Sequence, residues 1–261
     1  MRMLRMFAVA LLLAAPLAIV PSQLFAQSAA GKYDAAKDDT QIQQDAQKKL
    51  KGGRFSGVQV AAQNGIIQLT GSVKLYDDKQ QAEKKVEKVK HAMSVVNDIQ
   101  VAAGETGDQQ LADKIGRQLA YDRVGFGNVY NAITVSVNNG VATMGGHARG
   151  PVAKSSALSL ASHTPGVTNV VDHIQVDPLS PMDDAIRVQV ARTVYGYPSL
   201  NKYAINPANP IRITVINGHV ILSGVVDNES DKDVAGIQAN TVPGVFSVTN
   251  NIQVAGSEEK R

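Results

Sequence analysis

The chain has 261 residues and a formal net charge of +3, and it contains no cysteine. Without cysteine it can form no disulfide, no thiolate nucleophile and no lipid attachment at a lipobox Cys. Arg2 and Arg5 lie among the first residues, so 24 Lys and Arg face 23 Asp and Glu in the remainder. Such a near-neutral chain lacks the concentrated basic field of a nucleic-acid-binding protein, and we expect no nucleic-acid partner.

Residues 1–26 predict an export signal. Arg2 and Arg5 precede an apolar run from Phe7 to Val20, and Leu24-Phe25-Ala26 ends in a small residue. This is the order of a secretory signal peptide, and the apolar run is shorter than the roughly 20 residues of a membrane-spanning helix. A buried helix of a globular domain is the alternative. We therefore expect a soluble periplasmic protein that is not a lipoprotein and has no transmembrane segment after signal cleavage.

One pattern then occurs three times. An Asn-Gly pair, a glycine and a closing Ile-Gln-Val recur, and the interval from the paired Gly to the Gln is 35 residues each time. The pairs are Asn64-Gly65, Asn139-Gly140 and Asn217-Gly218, and the following glycines are Gly71, Gly146 and Gly224. A fixed internal period predicts one small module used three times rather than one large enzyme domain.

Each repeat predicts the same five elements. A helical stripe such as Ile42, Ala46 and Leu50 comes first. The aspartates near the start of each first helix (Asp38-Asp39, Asp108, Asp183-Asp184) can cap free N–H groups and complement the helix dipole. Two alternating strands then flank the Asn-Gly pair, because both residues tolerate the positive φ of a type I′ turn. A second helix follows, over about 77–91, 151–162 and 228–239, and a last strand ends at Val101, Val176 or Val254.

These elements predict an α+β fold of three tandem α-β-β-α-β modules, each a three-stranded sheet covered on one face by two helices. The expected modules are 38–101, 107–177 and 181–254, followed by a tail over 255–261. The glycines at 71, 146 and 224 lie on the side of the alternating strand that otherwise carries apolar residues. We interpret them as leaving room for a helix to pack on the sheet. Asn97, Asp172 and Asn250 occupy one place in the three last strands. They are expected to bond nearby backbone or mark a bulge, or else to contact a ligand.

The order of elements, the Asn-Gly hairpin, the strand glycine, the Pro-Gly-Val and the Asn-x-Ile-Gln-Val ending resemble the BON domain family. Three copies would cover nearly all of the chain after the signal, whereas relatives usually carry two. The first copy departs from the pattern, with Ala92-Met93-Ser94-Val95 where the others have Pro-Gly-Val. The resemblance implies a non-enzymatic role in the cell envelope under osmotic stress, through peripheral binding to membrane phospholipid or to envelope proteins. A chaperone (holdase) for unfolded exported proteins is the alternative.

Two sets of residues are candidates for contact with lipid or a partner. The basic set lies on the predicted second helix of the first module, where Glu83 and Glu87 interrupt it, and a solvated helix face is the alternative: Lys84, Lys85, Lys88 and Lys90. The aromatic set lies between the first helix and first strand, in segments of unequal length: Tyr121, Phe126, Tyr130, Tyr195, Tyr197 and Tyr203. Such loops often carry function, and Tyr suits an interface where its ring lies in an apolar environment and its hydroxyl lies in water. Packing over a sheet edge or between modules is the alternative.

Local motifs of catalysis are missing from the sequence. It has no Gly-x-Ser-x-Gly, no Walker loop and no His-Glu-x-x-His, and its five histidines form no pair at helical spacing that suggests zinc. We therefore expect no enzymatic activity, no catalytic residue, no metal and no cofactor. A hydrolase whose Ser-His-Asp triad is assembled through space is the alternative.

Overall fold

A computed structural model describes residues 35–122, 132–205 and 210–256. The described residues form three successive modules of the same topology, which confirms the predicted α+β fold of repeated α-β-β-α-β units. The expected signal segment 1–26 and residues 257–261 of the expected tail lie outside the described residues.

The helices and strands follow one another in the predicted order in each module. The first module contains α1 (Ala35–Lys49), β1 (Val58–Gln63), β2 (Ile66–Val73), α2 (Tyr76–Val86), β3 (Ser94–Asn97) and β4 (Gln100–Val101). The second contains α3 (Asp108–Ala120), β5 (Ala132–Asn138), β6 (Val141–Ala148), α4 (Pro151–Ser162), β7 (Asn169–Asp172) and β8 (Gln175–Val176). The third contains α5 (Pro181–Gly196), a short α6 (Asn201–Ile205), β9 (Arg212–Ile216), β10 (His219–Val226), α7 (Glu229–Asn240) and β11 (Ser247–Val254).

Each sheet is built around its second strand. The Asn-Gly turn joins an antiparallel hairpin, and the chain then crosses over through a helix to add the last strand parallel to the middle one. Both residues of each turn have positive φ, as a type I′ turn requires (Asn64 at 52° and Gly65 at 76°, for example). In the first two modules the last strand is interrupted, so β3 and β4, and likewise β7 and β8, both pair with the middle strand.

Three separate hydrophobic cores lie between the sheets and their helices. The first is centred on Ile42, Leu69 and Ile99, which are at most 1% exposed. The other two contain the equivalent positions, such as Met144 and Ile174 in the second module and Leu222 and Ile252 in the third. Each core is made of the apolar side chains of the helices and of alternate residues along the strands, so every module buries its own apolar face.

The strand glycines serve a purpose different from the predicted one. A Cβ on Gly71 would lie 2.0 Å from the carbonyl oxygen of Gly57, which directly precedes β1. A Cβ on Gly146 would lie 2.0 Å from the carbonyl oxygen of Ala132, at the start of β5. At Gly224 the equivalent contact is 2.7 Å from the oxygen of Pro210. The glycines are therefore required by the close approach of the adjacent strand, together with a positive φ, and not by a helix packing on the sheet.

The second helix of the first module ends earlier than the sequence predicted. α2 stops at Val86 rather than near His91, because the chain tightens there: the Val89 N–H bonds the Val86 carbonyl, three residues back. This turn keeps Val89 in the core and brings the Met93 N–H onto the Gly65 carbonyl, while the Met93 side chain is 69% exposed. The predicted extent of this helix, to about residue 91, is therefore wrong.

The turn after the second helix also corrects the predicted alignment of the repeats. The N–H groups of Met93, Thr168 and Phe246 make the same bond to the turn glycine of their own module. His91 therefore stands where the other modules have Gly166 and Gly244, and all three residues have positive φ, at 68°, 98° and 89°. Lys90-His91-Ala92, and not a segment beginning at Ala92, replaces Pro-Gly-Val in the first module.

Candidate functional surfaces and the motifs that position them

An aspartate from the first helix holds the hairpin turn in every module. Asp39 accepts hydrogen bonds from the N–H groups of Asn64 and Gly65, at 2.7 and 2.8 Å. Asp108 binds the second turn at 2.7 and 3.0 Å, and Asp183 binds the third at 2.9 and 2.8 Å. Bonds from N–H to an ionised carboxylate are stronger than neutral ones. We call this arrangement the carboxylate clamp.

The clamp is the feature that sequence reasoning missed. Those aspartates were assigned to the helix dipole because they lie at the helix start, and the turns lie 26, 32 and 35 residues further along the chain. An Asp recurs near the start of each first helix, as the Asn-Gly turn recurs in each module, and this recurrence could have indicated the contact. The interval between the Asp and the turn differs from module to module, so the two do not form a motif of fixed spacing.

The polar residues of the last strands bond the backbone of the second helix. Asn97 donates its Nδ2 to the Lys79 carbonyl at 3.0 Å, and Asn250 donates to the Lys232 carbonyl at 2.7 Å. Each also accepts the N–H two residues ahead through Oδ1, at 3.3 Å. These bonds pin the last strand to the helix, and in the first module the bond to Asn97 Oδ1 satisfies a backbone N–H where the ladder is interrupted.

The second module reaches the same result with a different pair. Asp172 cannot donate, and the Lys154 ammonium instead lies 2.8 Å from Asp172 Oδ2 and donates to the Ile174 carbonyl at 2.8 Å. Burial opposes ionisation of Asp172, but the Lys154 ammonium and the Ile174 N–H outweigh it and lower the pKa of Asp172. Lys154 occupies the position of Lys79 and Lys232. This position contributes its carbonyl in the first and third modules and its ammonium in the second.

The predicted basic set is divided between the helix and the turn after it. Lys84 and Lys85 lie on α2, whereas Lys88 and Lys90 lie beyond its end, which corrects the prediction that all four share the helix. All four side chains are exposed, as is the adjacent Met93. Lys85 also lies 5.9 Å above the ring of Phe55. We call Lys84, Lys85, Lys88, Lys90 and Met93 the basic patch.

The predicted aromatic set falls into three groups. Tyr121 is 76% exposed and Tyr197 is 38% exposed, so both rings face solvent. Phe126 and Tyr130 lie outside the described residues. Tyr203 is buried in the third module and Tyr195 is half-buried there, and both hydroxyls are bonded within the module.

The two inward tyrosines close the long segment of the third module. Tyr203 is 5% exposed, donates its hydroxyl to Asp231 at 2.7 Å and accepts the Asp227 N–H at 2.8 Å. Burial raises the pKa of the Tyr203 phenol, and bonds to Asp227 and Asp231 raise the pKa of Lys202 beside it. Tyr195 donates to the Ile211 carbonyl at 2.5 Å, and burial raises the pKa of its phenol. Phe55, 5% exposed, is the buried aromatic of the corresponding segment in the first module.

Polar contacts join the second and third modules. The buried Arg187 on α5 lies 2.7 Å from Asp184 and 3.6 Å from Asp177, which also contacts His147 Nδ1 at 2.7 Å. Arg149 binds Asp184 through two nitrogens, at 2.8 and 2.6 Å.

A second contact at this junction involves the sheets, since the Arg212 Nε donates to the Ile133 carbonyl at 2.6 Å. Burial lowers the pKa of the Arg212 guanidinium.

Among the described residues, the first and second modules meet through small residues and through a contact between His163 and Asp77. Ala103 forms an isolated parallel bridge with Gly166, and a Cβ on Gly104 would lie 2.8 Å from the Gly166 Cα. His163 Nε2 lies 3.3 Å from Asp77. A polar groove of about 360 Å³ between α2 and α4 includes Lys84 and Ser159 in its walls.

Within residues 35–122, 132–205 and 210–256, no group of three or more His, Asp or Glu side chains could hold a metal ion. Across the same described ranges, every helix is too short or too polar to cross a lipid bilayer.

The modules match a known family. The model of the BON domain matches residues 38–103, 107–178 and 183–256. These three matches cover most of the sequence, and the chain belongs to the BON domain family.

Among curated proteins, the chain is similar to the osmotically-inducible protein Y of Escherichia coli (strain K12). The two are 29% identical over 122 residues, which is 46% of this chain and 61% of that relative. The chain therefore spans less than two thirds of the relative's length.

Two solved structures of CdsD, a structural protein of the type III secretion system of Chlamydia trachomatis, also resemble the chain. Both are 17% identical to it, and one is of the C-terminal domain. The matches cover 83% and 85% of this chain and 93% and 99% of those chains, with a TM-score of 0.23 in each case. A TM-score this low supports no inference about function.

Proposed function

We propose that the protein is exported to the periplasm and acts there in the osmotic-stress response, binding the surface of anionic phospholipid membranes without catalysing a reaction. Its membership of the BON domain family and its similarity to an osmotically-inducible protein support the class. The signal-like residues 1–26 support export. Cell fractionation, with a comparison of intact and mature masses, tests that part separately.

The observation that carries membrane binding is the basic patch of the first module. It combines four exposed lysines with a methionine that is 69% exposed and lies three residues after Lys90 in the chain. Positive charge attracts anionic headgroups, and an exposed apolar side chain can enter the acyl boundary. At the equivalent positions the second and third modules have Ser159, Leu160, Ile237 and Gln238 among others, so the charge belongs to the first module.

The expected affinity is modest. Each lysine near an anionic surface contributes roughly 1 kcal/mol, and Glu83 and Glu87 reduce the sum. Because the attraction acts between exposed charges, it weakens as salt shortens the screening length to about 8 Å at physiological ionic strength. Binding should therefore be peripheral, reversible and dependent on the fraction of anionic lipid.

The test is vesicle flotation of the mature chain with phosphatidylglycerol-rich and pure phosphatidylcholine vesicles. Replacing the four lysines of the basic patch by Gln should weaken binding to the anionic vesicles at least tenfold, about 1.4 kcal/mol. The matched control replaces four other exposed lysines and makes the same change in net charge: Lys48, Lys49, Lys51 and Lys114. Equal loss in both variants would reduce the effect to net charge, and no binding to either vesicle would refute the proposal.

A holdase is the second candidate, and one observation favours it. Met93 and Phe246 occupy equivalent positions in the first and third modules and are 69% and 78% exposed. Large exposed apolar side chains can bind unfolded segments. The wild-type chain should then suppress aggregation of a reduced client protein at near-stoichiometric ratio, and Met93→Ser with Phe246→Ser should abolish the protection. A client that aggregates equally with and without the wild-type chain would exclude this candidate.

A further inference from the structure

The three hairpin turns contain the sequence most prone to spontaneous deamidation. In an Asn-Gly pair the backbone nitrogen of Gly can attack the side-chain carbonyl carbon of Asn. The new C–N bond closes a succinimide ring, the amide C–N bond breaks, and ammonia leaves with the proton lost by the Gly nitrogen. Water then opens the ring to Asp or isoaspartate. Asn64, Asn139 and Asn217 are all exposed, so water and base reach each of them.

The attacking nitrogen is engaged in all three turns. The Gly65, Gly140 and Gly218 nitrogens donate to a clamp aspartate at 2.8, 3.0 and 2.8 Å. The second oxygen of the same carboxylate accepts the N–H of the preceding Asn, at 2.7 to 2.9 Å. One carboxylate thus fixes the peptide groups on both sides of the reactive Asn.

We propose that the carboxylate clamp protects the Asn-Gly turns from deamidation. Attack requires the Gly nitrogen to lose its proton, and a negative charge 3.0 Å or less away disfavours the amide anion. Attack also requires the peptide plane to rotate toward the Asn side chain. That rotation breaks the clamp bonds, and hydrogen bonds to a charged group are stronger than neutral ones.

The reaction would destroy the feature that protects against it. Isoaspartate adds a methylene to the backbone of a turn that needs positive φ at both residues. Aspartate formed at Asn64 would place a second carboxylate on a turn already bound by Asp39. Either product weakens the contact between the first helix and the hairpin, so one chemical event removes a tertiary anchor of a module.

The second module gives the sharpest test. Asp108→Ala removes its clamp, and Asp113→Ala is the matched control, since it removes a carboxylate of the same helix that accepts a hydrogen bond from Gln109, one turn away. The full chain is incubated at mildly alkaline pH, and peptides containing Asn64, Asn139 and Asn217 are quantified by mass spectrometry with an isoaspartate assay. The two unaltered turns are internal standards. Hydrogen exchange of β5 and β6 reports whether the module remains folded.

The expected result is that Asn139 deamidates roughly tenfold faster in Asp108→Ala than in Asp113→Ala, with Asn64 and Asn217 unchanged and β6 still protected from exchange. Asp108→Asn, which keeps one acceptor oxygen without charge, should give an intermediate rate and guards against a variant that does not fold. Equal rates at Asn139 in the variants would overturn the proposal. A slower rate without Asp108 would also overturn it, because the carboxylate would then be acting as a base. Acceleration seen only when β6 loses its protection would attribute the effect to unfolding and refute the clamp.

Discussion

Asn97 and Asn250 occupy equivalent positions, yet the structure predicts that Asn→Asp has different consequences at the two sites. Both donate to the carbonyl of a second-helix lysine, but Asn97 Nδ2 also donates to Glu83 Oε2 at 2.9 Å. In the third module the residue equivalent to Glu83 is Gly236, where a Cβ would lie 2.9 Å from the Asn250 amide nitrogen. A carboxylate at residue 97 would therefore face Glu83, and one at residue 250 would face no such charge from that position.

The magnitude follows from these contacts. Asn97→Asp loses two donated hydrogen bonds and sets two carboxylates about 3 Å apart in a half-buried site, and we expect a loss of about 3 kcal/mol at neutral pH. Asn250→Asp loses one donated bond and meets no carboxylate from residue 236, so we expect a loss of only about 1 kcal/mol. Adding Glu83→Gln to Asn97→Asp should restore most of the stability.

A chain of three modules need not unfold in one step, so the measurement must report on each module separately. Native-state hydrogen exchange by mass spectrometry gives the opening free energy of β2 and of β10 in the same sample. The two Asn→Asp variants and the Glu83→Gln double variant are compared with wild type. Equal losses in the first and third modules would refute the reasoning, as would a double variant no more stable than Asn97→Asp alone.

Three further predictions concern single modules. His91 is an exposed non-glycine residue at a φ of 68°. His91→Gly should therefore raise the free energy of unfolding of the first module, measured in urea, by about 1 kcal/mol, whereas Lys90→Gly next to it should lower this free energy. Asp183→Ala leaves two turn N–H groups without their carboxylate and should reduce the opening free energy of the third module by about 3 kcal/mol, and a loss below about 1 kcal/mol would contradict the role of the clamp. The lowered pKa of Asp172 means that its stabilising contribution is present above the unfolded value of 3.8 and is lost as pH falls through the lower folded value. In an acid titration of the second module, Lys154→Met should weaken this dependence while costing at most about 1 kcal/mol at neutral pH, since both side chains are partly exposed.

Tertiary contacts decided which candidate residues face solvent. Tyr121 and Tyr203 come from segments of the same kind in the sequence, yet one ring is 76% exposed and the other 5% exposed. The difference arises because α6 folds back and places the Tyr203 hydroxyl on Asp231, 28 residues further along. The contacts of Arg187 with Asp177 and of Arg149 with Asp184 depend in the same way on how the second module stacks on the third, for which composition and periodicity carry no signal.

The sequence by itself determined the number of modules, the order of their elements and the type of their hairpins. These features depend on local preferences: apolar periodicity, and the tolerance of Asn and Gly for positive φ. Only the tertiary structure decided that an aspartate assigned to a helix start binds a turn 26 to 35 residues away, and that His91 takes the place of a glycine. Such contacts join residues through segments of unequal length, and their geometry is fixed by the packing of the whole module rather than by neighbouring residues.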